Sequence, residues 1–193
     1  MGNLVLNGAT SGATTLTPTD ATTQTITLPS GTGTVLTTGS PQSGGVIQVV
    51  TNSVISSSYA STSSTSFVTT GHSATITPKF SNSKILILVS AYCGFNYPSN
   101  PSAGGAFTIY RGGTNLSGGS SNAISAIDFA NSNGLSTTNL GISYVDSPAT
   151  TSATTYTIYF YSNASGGTLT YCCSFGGLVS NSLATITLLE IAA

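Results

Sequence analysis

Apolar positions follow two different rhythms along this chain. In the first forty residues the large aliphatics Leu6, Leu16, Ile26 and Leu36 recur every ten positions. Thr-rich flanks surround them, and Asn7-Gly8, Pro18-Thr19-Asp20 and Pro29-Ser30-Gly31 interrupt them. Alternating Thr and aliphatic residues between such breakers predict short strands joined by turns. Each pass offers one or two aliphatic side chains, too few for a core, and isolated hairpins are marginal in water. A repeat that cannot cover its own face must stack on a neighbour, here the same segment of other chains. Residues 1–39 are therefore expected to form an intertwined β stem, which makes the protein an obligate oligomer.

Residues 40–45, within Gly39-Ser40-Pro41-Gln42-Ser43-Gly44-Gly45, read as a linker by composition. From 46 to 193 the pattern predicts strands over Val46–Thr51, Val54–Ala60, Ser66–Thr70, Ala74–Thr77, Lys84–Tyr92, Ala106–Arg111, Ala123–Phe129, Leu140–Val145, Thr155–Tyr161, Thr168–Phe175 and Ala184–Ile191. No window of ten residues keeps a helical period. Many short strands with frequent turn signals predict an all-β, antiparallel β-sandwich or jelly-roll knob. Ile85–Val89 is apolar at successive positions, and Tyr156–Tyr161 places aromatics on both faces. In an antiparallel sandwich one face normally meets water, so each strand needs a covering loop or a second subunit. The stem favours the subunit.

Only seven residues carry full charge at neutral pH: Lys79, Lys84, Arg111, Asp20, Asp128, Asp146 and Glu190. That is 4% of the chain against a usual quarter or so. With 39% apolar residues the chain is expected to fold, its surface solvated by hydroxyls and amides. Three scattered cations cannot make the basic stripe that binds nucleic acid. The longest apolar run falls far short of the ~20 residues of a membrane span, and no secretory leader is visible. Gly2 is not a myristoylation site, because Leu6 stands where Ser or Thr is wanted. Three cysteines, Cys93, Cys172 and Cys173, lack metal spacing and are odd in number, which predicts reduced structural thiols. On a strand, Cys172 and Cys173 should point to opposite faces.

Covalent chemistry finds few candidates. The single histidine, His72, stands beside Gly71 and reads as a surface turn residue. Asp146-Ser147-Pro148 reads as a turn whose Asp caps the backbone. Asp128 with Asp146 is the one carboxylate pair available to a polysaccharide depolymerase. Gly31-Thr32-Gly33-Thr34 lacks a phosphate-loop Lys. Asn115-Leu116-Ser117 and Asn163-Ala164-Ser165 match glycosylation acceptors, as a Ser/Thr-rich chain will by chance. No catalytic residue, metal site or cofactor is expected. Glu190 lies on the face of Ile186 and Leu188, so it needs Arg111, Lys79 or Lys84 as partner, or a frayed end open to water.

Surface recognition remains. Tyr92–Pro101 reads as a strand end running into a loop with exposed aromatics, amides and two prolines. Phe95, Asn96 and Tyr97 there are the expected binding residues, since aromatics beside amides suit sugar faces and hydroxyls. Asn131 and Asn133 form a second polar loop of the same character.

The phrases Leu6-Asn7-Gly8, Thr15-Leu16-Thr17-Pro18, Ile26-Thr27-Leu28-Pro29 and Gly33-Thr34-Val35-Leu36-Thr37-Thr38-Gly39 resemble the shaft of phage tail-fibre and fibre-like virion proteins. Ile76–Leu86, Asp146–Tyr156 and the closing Leu189-Glu190-Ile191-Ala192-Ala193 resemble the terminal module often joined to that shaft. The resemblance covers nearly the whole chain and carries over no catalytic residue. It implies a homotrimer with a short shaft and a jelly-roll knob, exposed on the virion. The stem, residues 1–39, would attach it to other virion proteins of tail or capsid. The knob would bind the host surface, a glycan above all. The alternative is a capsid decoration or head-fibre protein that needs no ligand.

Overall fold

Thirteen strands and no helix make up the described part of the chain. The computed structural model describes residues 41–55, 60–97, 102–119, 121–130, 134–164, 166–173 and 182–193, together with two N-terminal strands. The chain divides into two units, Met1–Leu36 and Thr37–Ala193. In the first, β1 (Leu4–Asn7) pairs antiparallel with β2 (Ala13–Leu16), Leu4 opposite Leu16 and Asn7 opposite Ala13. The expected passes around Ile26 and Leu36 lie outside the described residues.

The second unit holds the other strands: β3 (Val46–Ile55), β4 (Ala60–Thr62), β5 (Val68–Ile76), β6 (Lys84–Tyr97), β7 (Ser102–Arg111), β8 (Thr114–Asn115), β9 (Ser125–Ala130), β10 (Gly134–Asp146), β11 (Thr154–Ser162), β12 (Thr168–Tyr171) and β13 (Leu183–Ile191). They form two antiparallel sheets. The first runs β3-β13-β6-β10, with β12 and then β4 continuing beside the far half of β6. The second runs β5-β11-β7, and the other edge of β7 carries β9 and β8. The linker composition at Gly44 and Gly45 has fixed partners: Gly44 N donates to Ala192 O at 2.8 Å, and Ala192 N donates to Gly45 O at 2.9 Å.

Alternation along the strands sends one set of side chains between the sheets. From the first sheet come Ile85, Ile87, Val89, Ala91, Cys93 and Phe95 of β6, Ile186 and Leu188 of β13, and Leu140 and Ile142 of β10. From the second come Ile76, Phe107, Ile109, Tyr156, Ile158 and Phe160. Phe107 meets Tyr171 of the opposite sheet at 6.3 Å between ring centroids. Gly104 and Gly105 of β7 allow close approach, since a Cβ would strike Ile127 O at the first and Tyr161 O and Leu169 at the second. The expected strand Val46–Thr51 and the start of the expected Val54–Ala60 form one strand, β3, while Ala60 opens β4.

The strand apolar on both faces behaves as its pattern requires. Ile85, Ile87 and Val89 face the core, while Leu86 and Leu88 emerge on the outer face. Leu86 is opposite both Leu189 and Val145, and Leu189 is opposite Val49. Val49, Leu189, Leu86 and Val145 thus form an aliphatic row straight across the sheet. Val49 and Val145 are each 55% exposed and Leu88 39%. Beside the row, Ser90, Gly141, Ser143 and Thr185 leave a shallow depression of about 350 Å³.

Candidate functional site

The first part of the expected receptor loop, Tyr92 to Tyr97, is strand, and Pro98 to Pro101 lie outside the described residues. β6 continues through Tyr97, paired with β10 along its whole length, Tyr97 opposite Gly134. Phe95 is 2% exposed and belongs to the core. The alternation begun at Ile85 continues without a break through Ala91, Cys93 and Phe95, so this aromatic faces inward. Asn96, on the opposite face, is exposed. The side chain of Tyr97, and Asn131 and Asn133, lie outside the described residues. Phe95 is thus removed from the expected binding set.

Several further residues differ from expectation, each for a physical reason. His72 is buried, not a surface turn residue. Gly71 takes φ +79°, and β5 slips in register against β11 there. His72 Nε2 lies 3.2 Å from Asn52 O, which can only accept, so that nitrogen carries the proton. The Tyr171 hydroxyl then donates to Nδ1 at 2.6 Å. Burial lowers the imidazole pKa below its ordinary 6.5, partly offset by the Asn52 carbonyl. Asp146 ends β10 inside the molecule, where it takes Arg111 Nη1 at 2.8 Å and the Tyr156 hydroxyl at 2.7 Å. Asp128 is opposite Gly104, seven residues from Arg111 along β7, so roughly 20 Å of strand separates the two carboxylates. Paired glycosidase carboxylates stand about 5–9.5 Å apart.

Glu190 is fully buried and uses none of the three cations as a side-chain partner among the described residues. Its Oε1 accepts from the backbone N–H groups of Lys79 and Phe80 at 2.7 and 3.2 Å, and Oε2 accepts from Gln48 Nε2 at 2.5 Å. Ser83 lies alongside, its buried hydroxyl short of full hydrogen-bond geometry. Burial pushes this carboxyl's pKa up, but the donors around it outweigh burial and hold it below 4.5. Cys172 and Cys173 are both buried instead of facing opposite ways, because Cys172 turns to φ +53° just after β12 and breaks the alternation. All three thiols are free, and burial pushes Cys173 up to about 11.

A more promising site lies on the outer face of the second sheet. There Tyr159 and Tyr161, two apart on β11, point away from the core occupied by Ile158 and Phe160. Tyr110 of β7 stacks on Tyr159 at 3.9 Å between centroids, and Phe67 meets Tyr161 edge to face at 4.8 Å. These rings cover Thr108 and Ala106, their cross-strand neighbours, which are buried although they face outward. Phe67, Tyr110 and Tyr161 form the apolar side of a cleft of about 500 Å³; Thr65, Ser66, Ser121 and Asn122 form its polar side.

Both polar walls are fixed by side-chain hydrogen bonds to backbone. Asn115 Oδ1 accepts from Thr108 Oγ1 at 2.6 Å and from Ser117 N at 3.0 Å, while its Nδ2 donates to Asn122 O at 2.8 Å. With Asn122 N donating to Gly119 O, the Asn122 backbone is held at φ +55°. On the other wall the Ser64 hydroxyl donates to Ser66 O, and Ser66 N donates back to it. Ser162 N ties that turn to β11 through Ser64 O at 2.8 Å. Among the described residues, neither the Asn122 amide nor the Tyr110 and Tyr161 hydroxyls bond to protein. Asn163, the other apparent glycosylation acceptor, also has a structural role: its Oδ1 accepts from Gly104 N at 2.7 Å.

Compared by sequence with protein-family models and with curated proteins, the chain matches none.

Proposed function

We propose that this chain is a structural protein of a bacteriophage virion, a homotrimeric fibre or spike whose sandwich unit is displayed outward and binds the host surface. The observation that carries the reading is the aliphatic row Val49–Leu189–Leu86–Val145, with Leu88 beside it. Cross-strand pairing alone does not call for so exposed an aliphatic row, and covering it in a subunit contact would remove it from water. The 4% charge of the chain leaves that contact to apolar burial.

Strand order adds support. Eight strands fall into β3-β13-β6-β10 and β5-β11-β7-β9, with successive strands crossing between the sheets except β7 and β9, which pair within one sheet. We read this order as consistent with a jelly roll, an architecture frequent in viral capsid and lectin domains. It speaks for fold and, by analogy only, for function. In this reading residues 1–39 form the intertwined stem that holds the protein on the particle, and the protein carries out no catalysis. The test is electron microscopy of intact particles carrying a label fused to the C-terminus. Label at the tail tip or fibre ends supports host attachment. Copies distributed over the head favour capsid decoration, and purified particles without label contradict both.

A further inference from the structure

We infer that the cleft between Tyr161, Tyr110 and Asn122 is a binding site for an uncharged pyranose sugar. Its geometry stands on its own; only the origin of the sugar, a host-cell surface, rests on the reading above.

The ligand class follows from the lining. None of the seven residues around the cleft carries a charge. A sulfate, phosphate or uronate losing water there would have no cationic partner, so acidic ligands are disfavoured. A purely apolar ligand would strip water from Ser66, Ser121, Thr65 and Asn122 without replacing their hydrogen bonds. A pyranose meets both demands. Its axial C–H face can lie on the Phe67 and Tyr161 rings, and its equatorial hydroxyls present alternating donors and acceptors to the polar wall. The Asn122 amide supplies one donor group and one acceptor, and the tyrosine hydroxyls supply either. A volume of about 500 Å³ falls inside the ~300–1,000 Å³ range of small-ligand sites.

Preorganisation is the second argument. A mobile polar loop would spend binding energy on becoming ordered. Here Asn115 fixes the wall that carries Asn122, Ser64 fixes the wall that carries Ser66, and ring-to-ring contacts fix the floor. Asn tolerates the left-handed φ of +55° at this position, so the turn holds its amide beside the cleft without strain.

The test titrates the full-length protein by calorimetry with neutral hexose and N-acetylhexosamine trisaccharides up to about 10 mM, a range that covers weak sugar sites. Uronic-acid trisaccharides serve as the charged comparison. Since the chain has no Trp, a change in tyrosine emission that Tyr161→Phe reduces provides a parallel readout. At least one neutral sugar should bind, and uronates should bind tenfold or more weakly. Tyr161→Ala should reduce affinity by about tenfold or more, the loss of a well-placed aromatic anchor. Two gentler variants guard against misfolding: Asn122→Gly keeps the backbone conformation, and Tyr161→Phe keeps the ring. Each should weaken binding severalfold at unchanged melting temperature. Absence of binding by every neutral sugar overturns the site, and so does binding that Asn122→Gly and Tyr161→Ala leave intact. A protein that binds sugar through this cleft but is absent from particles keeps the site and removes the virion reading.

Discussion

Replacing Glu190 by Gln gives the sharpest test of how this sandwich is held together. The carboxylate is fully buried and accepts three hydrogen bonds, two from backbone N–H groups of the turn after β5 and one from Gln48. Gln is nearly isosteric, so packing is preserved and only charge and one acceptor are lost. If the new amide turns its NH₂ toward Gln48, two donors face each other; if toward Lys79 and Phe80, three donors compete. One hydrogen bond to a charged group disappears, worth about 1.5–3 kcal/mol, and a buried donor loses its partner at about 1–3 kcal/mol more. Allowing for relaxation, Glu190→Gln should cost roughly 2–4 kcal/mol at pH 7. Urea unfolding of both proteins at one protein concentration measures it. The pH dependence gives a second readout. Because the folded-state pKa lies below the ordinary 4.5, the unfolded chain binds the proton first as pH falls. The stabilisation is complete above about pH 4.5 and is lost as pH falls through the folded pKa, so the gap between the two proteins should narrow in acid. Raising salt toward 1 M should leave the gap nearly unchanged, since the partners are dipoles and not ions. A cost below about 0.5 kcal/mol, or a gap that closes with salt, would refute the reasoning and return Glu190 to an ion pair.

Three further outcomes follow from the buried polar groups and core. Protonation of His72 is opposed by burial, so it should stabilise fully above about pH 6.5 and progressively less as pH falls from 6.5 toward its lower folded pKa; His72→Gln should flatten that part of a melting-temperature profile. Phe95→Ala should destabilise the fold by about 3–5 kcal/mol in chemical unfolding, as expected for a core aromatic and not for a surface loop. Cys93, Cys172 and Cys173 should resist a thiol reagent in the native state at pH 8 and react together on unfolding, because all three are buried and burial raises Cys93 and Cys173.

Strand identity was largely legible in the sequence because it depends on a local period of two. β11 and β13 alternate between buried and half-exposed positions over nearly their whole lengths, as the expected strands Thr155–Tyr161 and Ala184–Ile191 imply. Composition was a poorer guide than phase. Asn96-Tyr97-Pro98 looks like a loop, yet counting by twos from Ile85 carries the strand inward through Phe95. The positions of His72, Cys172 and Cys173 depend on left-handed residues that interrupt the count, and only Gly71 advertises one. Partners of Glu190 were illegible, since backbone amides leave no mark in a sequence. The aromatic cleft was half visible: Tyr159-Phe160-Tyr161 shows rings on both faces, but Phe67 and Tyr110 join them only through sheet register. Asn115 hid inside a triplet that resembles a glycosylation site.

Mass in solution tests the central claim most directly. Sedimentation equilibrium on the full-length protein at micromolar concentration should give three times the 19.3 kDa chain mass. Leu88→Lys, which places a charge beside the aliphatic row, should shift that equilibrium toward smaller species while circular dichroism stays that of a β protein. A wild-type protein that sediments as a 19.3 kDa monomer would contradict the account, and an oligomer indifferent to Leu88→Lys would move the contact to another face.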